Sequence, residues 1–68
     1  MQRVRLLVTD GIPGVTPGRY AVGDEGYITR NLDGSWNNYV ATIALDRYIT
    51  DWVCDYPLNF RADEFEVL

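Results

Sequence analysis

The chain has 68 residues, with six arginines, no lysine, ten acidic side chains, no histidine and one cysteine, for a formal net charge of −4. That length supports one domain, residues 1–68. Without an imidazole there is no Ser-His-Asp or Cys-His pair, and one cysteine forms neither an internal disulfide nor the usual zinc site. No enzyme activity, metal or cofactor is therefore expected. No run of about 20 apolar residues is present, so no membrane helix is expected, and a 47% hydrophobic, 24% charged composition is that of a globular chain.

Val, Ile and Thr number sixteen and the aromatics nine, which tilts the chain to all-β. The first predicted strand is 3–9, where Val4, Leu6 and Val8 alternate inward against Arg3, Arg5 and Leu7. Residues 10–18 carry three glycines and two prolines and form a long first loop. Gly23-Asp24 reads as a tight turn, and Gly26 as a point of close backbone approach. Residues 27–30 form a second strand, and Asp33-Gly34 centres a hairpin loop. The third strand runs over 36–43 with Tyr39, Ala41 and Ile43 on one face. After a polar turn at Asp46-Arg47, one fourth strand is expected over 48–54, with Trp52 facing the core. Pro57 makes 55–60 a loop or an edge. Residues 61–64 suit a single 3-10 turn before a last strand, 65–68, with Phe65 and Val67 inward. The expected core is Val4, Leu6, Val8, Ile28, Tyr39, Ala41, Ile43, Trp52, Phe65 and Val67.

Three segments carry a resemblance: Val4-Arg5-Leu6-Leu7, Val22-Gly23-Asp24-Glu25-Gly26-Tyr27-Ile28, and the tail from Asn59 to Leu68. Together they resemble the SH3-like small β-barrel. The tail is similar to that of the small photosystem I subunit that helps ferredoxin dock, to the variable chain of ferredoxin–thioredoxin reductase, and to short bacterial proteins of unknown function. The resemblance implies a five-stranded barrel with a long first loop and a single 3-10 turn before the last strand. Asn38 to Ile43 lacks the basic residue that the photosystem subunit carries near the end of its third strand, so no ferredoxin role is carried over.

Nine aromatics exceed what so small a core holds, so some are expected at the surface. A binding patch is expected near the long loop and the hairpin, formed by Arg19, Tyr20, Trp36 and Tyr56, since loops on a rigid scaffold carry recognition residues. The expected function is a non-enzymatic protein-interaction or accessory module that binds a protein partner or its own copies. One alternative is a nucleic-acid-binding barrel using Arg3, Arg5, Arg30 and Arg47, which the acidic balance disfavours. The other is an acidic inhibitor occupying a partner's nucleic-acid site. The direct entry from Met1 into a strand suggests a free-standing bacterial or bacteriophage protein, and the lone Cys54 suggests the cytoplasm.

Overall fold

The computed structural model describes residues 1–68. Seven short strands form: β1 (Arg3–Leu6), β2 (Glu25–Asn31), β3 (Tyr39–Leu45), β4 (Ile49–Thr50), β5 (Val53–Cys54), β6 (Leu58–Arg61) and β7 (Phe65–Val67). Two 3-10 turns, Asp46–Tyr48 and Ala62–Glu64, follow β3 and β6. Five strands make one antiparallel sheet in the order β6-β3-β2-β1-β7, and β4 with β5 makes a separate hairpin. The domain is all-β, with the long first loop and the 3-10 turn before the last strand in place. It is not a closed barrel: β6 and β7 are the two edges of the sheet and do not pair. The 3-10 turn Ala62–Glu64 carries the chain from one edge to the other, and no ladder joins the two strands.

Alternation in β1 produces the expected result. Val4 and Leu6 are fully buried while Arg3 and Arg5 point outward. The outward pair is held by carboxylates. Arg5 lies opposite Glu25 on β2 and Glu66 on β7, with ion pairs of 3.3 and 3.1 Å. Across the buried face, Ala41, Ile43 and Leu45 of β3 and Phe60 of β6 complete the core, together with Tyr20 from the first loop. Val8, Ile28 and Phe65 pack at its margin. Bulges bend the sheet where Thr29 is extra on β2 and Val40 on β3, which lets one sheet curve around one small core.

Gly26 sits where β2 passes closest to β3. A Cβ there would strike the Ala44 carbonyl and come within 2.8 Å of the Leu45 Cα. Gly18, at φ +73°, closes the first loop against the Gly11 backbone. Within that loop, Thr9 donates to the Tyr20 carbonyl and Asp10 accepts from the Arg19 amide at 2.7 Å. These bonds fold the segment onto the sheet and carry Tyr20 into the core.

Several expectations need correction. The predicted fourth strand over 48–54 is the 3-10 turn's last residue followed by the β4–β5 hairpin, reversed at Asp51-Trp52. Trp52 is therefore not core but stands 97% exposed. Of the two readings of 55–60, loop or edge, the structure has the edge from Leu58 on: Pro57 precedes β6 and withholds no ladder donor from it. Phe60, absent from the expected core, is 1% exposed. Val67 lies opposite Val4 but on the edge strand, where nothing covers it, and is 57% exposed. β1 stops at Leu6, and β3 begins at Tyr39, after a turn in which Asn37 and Asn38 both take positive φ.

Candidate functional site

The four residues expected to form one patch fall into different surroundings. Tyr20 is 8% exposed and meets Phe60 edge to face at 5.0 Å, so it anchors the first loop to the core rather than facing a partner. Burial pushes its phenol pKa up. Arg19 and Tyr56 remain at the surface and meet around the same loop. The Arg19 guanidinium pairs with Asp10, which raises its pKa, with a smaller contribution from the Tyr56 phenol. The Tyr56 ring tilts against Tyr48 at 5.2 Å, and the Tyr48 hydroxyl donates to the Arg19 carbonyl. Arg47 bridges the same carbonyl to Asp24, at 2.8 Å from its carboxylate. This network ties the first loop to the 3-10 turn after β3.

Trp36 belongs elsewhere. Its ring is 64% exposed and packs edge to face on Tyr39 at 5.3 Å. Arg61 lies over the Tyr39 ring at 4.9 Å and donates to the Asn37 carbonyl at 2.8 Å. Guanidinium and rings support one another there.

A third aromatic surface escaped the sequence reading. Met1, Tyr27, Ile49 and Trp52 line an open groove of about 590 Å³, with Arg3 and Asp46 at its polar side. Arg3 holds Asp46 with two parallel bonds of 2.9 and 2.8 Å. The pairing keeps the Asp46 carboxyl below the usual range and the Arg3 guanidinium above its own, so these two lining side chains offset each other. Trp52 stands at the tip of the hairpin beside it, in the left-handed region at φ +69°, and Asp51 before it has φ +50°. A two-residue hairpin turn with both φ values positive favours Asn-Gly or Asp-Gly. A bulky side chain there costs about 1–2 kcal/mol, and Trp52 recovers none of it by burial. The missing Gly is why the turn was illegible: Ile49 to Cys54 is made mostly of strand formers.

The arginines are nearly all committed within the chain. Arg3, Arg5, Arg19, Arg47 and Arg61 each pair with a carboxylate, and Arg30 alone does not. Of the ten acids, Asp33, Asp51, Asp55 and Asp63 form no ion pair. No helix is long and apolar enough to cross a membrane.

No protein-family model, curated protein or solved structure matches the chain.

Proposed function

We propose that residues 1–68 form a non-enzymatic protein-interaction module, an SH3-like small domain whose principal contact is the β4–β5 hairpin and the groove beside it. The observation that carries this reading is Trp52, held 97% exposed in a left-handed conformation that a glycine would occupy with less strain. A local rule broken with no gain inside the fold marks a residue kept for something outside it. Tryptophan is also among the commonest interface anchors, and the apolar floor of Met1, Tyr27 and Ile49 can receive a partner side chain beside it. Trp36, and Arg19 with Tyr56, are secondary contacts on other parts of the surface. The internal pairing of five arginines supports a protein partner over a nucleic acid, because phosphate binding needs uncommitted cations.

The test is a photo-crosslinking side chain placed at position 52, at 36 and at the exposed position 29, in cells that make the protein. The expected result is adducts from position 52 that protease removes and nuclease leaves intact, and none from 29. Equal labelling at all three positions, no adduct at 52, or nuclease-sensitive adducts would refute the reading.

A further inference from the structure

The groove and the hairpin tip together have a distinct charge pattern. The charged side chains of the groove lining cancel, since Arg3 and Asp46 satisfy each other. Around the exposed indole the balance is different. Asp51 immediately precedes Trp52, Asp55 follows the β5 end of the hairpin, and neither has a cation within the chain. The hairpin from Ile49 to Tyr56 holds no basic residue at all. The hairpin that carries the exposed ring and borders the apolar recess therefore holds only negative, unpaired charge, and the complementary surface is apolar at its centre with positive charge toward the hairpin.

We infer that the occupant of the Trp52 groove is a short basic segment of another protein, in which a bulky apolar side chain enters between Trp52, Tyr27 and Ile49 while flanking arginines or lysines meet Asp51 and Asp55. This rests on the interaction-module reading and specifies the partner of the same surface. A second copy of the chain is the competing occupant, and the charges argue against it. A two-fold contact through this patch places like surface on like surface, so Asp51 and Asp55 of both copies would crowd one interface in chains that each carry −4. The dimensions favour a segment as well. A groove of about 590 Å³ lined by six residues is the size of a pocket for one compact group. A standard face-to-face interface needs about 800 Å² from each partner.

The experiment is selection of random twelve-residue peptides on the immobilised full chain, followed by affinity measurement on the wild type, Trp52→Gly and the double variant Asp51→Asn/Asp55→Asn. The expected peptides place two or more Arg or Lys around a Leu, Ile, Phe, Met or Trp. Their affinity should fall by at least about tenfold between roughly 0.01 M and 0.15 M salt, because rim charges are screened over that range. Trp52→Gly should lose about thirtyfold or more, as a hot spot does, and the double Asn variant about fivefold. Peptides that need Trp52 but are neutral or acidic overturn the basic partner while leaving the module intact. So does an affinity unchanged by the double variant. Dimerisation in sedimentation that Trp52→Gly abolishes overturns it in favour of a second copy. Binders indifferent to Trp52→Gly, or no enrichment, overturn the module reading too.

Discussion

Truncation of Phe60 to Ala should leave the domain largely unfolded. Phe60 lies on β6 in register with Ala41, is 1% exposed, and meets the Tyr20 ring at 5.0 Å. Removing a buried Phe side chain costs about 3–5 kcal/mol, counting both the lost transfer energy and the cavity left behind. A single core in a chain this short supplies a net margin of only about 3–5 kcal/mol, so the loss is comparable with the whole stability. The effect should also spread. The ring is Tyr20's partner in the core, so its loss frees the first loop along with the β6 edge of the sheet. Phe60→Leu keeps most of the volume and gives up the aromatic pair, for about 1–1.5 kcal/mol. Urea unfolding followed by far-UV circular dichroism separates the three proteins. A Phe60→Ala midpoint close to wild type would show that Phe60 is not central and that β6 is misplaced.

Phe65→Ala should be milder, at about 2 kcal/mol, because Phe65 packs at the margin of the core and is only half-buried; the same urea titration measures it against Phe60→Ala. Gly26→Ala should destabilise by about 1–3 kcal/mol, since the added methyl meets backbone atoms of Ala44 and Leu45 that cannot rotate away. The acid limb of stability should carry the signature of lowered carboxyls. Hydrogen bonds hold Asp10, Asp33 and Asp46 below their usual range, from Arg19, Ser35 and Arg3 respectively. Their stabilisation is then fully present above the unfolded value of about 3.9 and is lost as pH falls through the folded values. Asp46→Asn should flatten part of that slope in thermal melts taken below about pH 4, and cost no more than about 1 kcal/mol at neutral pH, as exposed ion pairs do.

The sheet was legible wherever period-two alternation acted alone. Val4 and Leu6, then Ala41 and Ile43, turned inward as their spacing required. The single turn at 62–64 and the close approach at Gly26 followed from short-range chemistry and were also legible. The failures share a physical cause, in that long-range packing overrode a local signal. Tyr20 sits in a segment rich in Gly and Pro that looks exposed, and Thr9 and Asp10 fold it back onto the sheet. Phe60 follows a proline that leaves its segment either loop or edge, and the edge strand that forms carries the ring into the core. At the candidate site the difficulty was sharper. Ile49 to Cys54 has the composition of one strand, and the turn that splits it carries Trp where Gly would announce it. The residue choice that reads Trp52 inward is the same one on which the proposed contact rests.

The most direct test of that assignment uses Trp52→Gly, with urea stability and affinity for a selected peptide measured on the same preparation. If the indole is held out for a partner, relief of the left-handed strain should outweigh the added freedom of glycine in the unfolded chain. Stability should then hold or rise by about 0.5–1 kcal/mol, while affinity falls by about thirtyfold or more. A variant that loses more than about 1 kcal/mol of stability would place Trp52 among the residues that hold the fold together, and one that keeps its affinity would remove the hairpin from the binding surface.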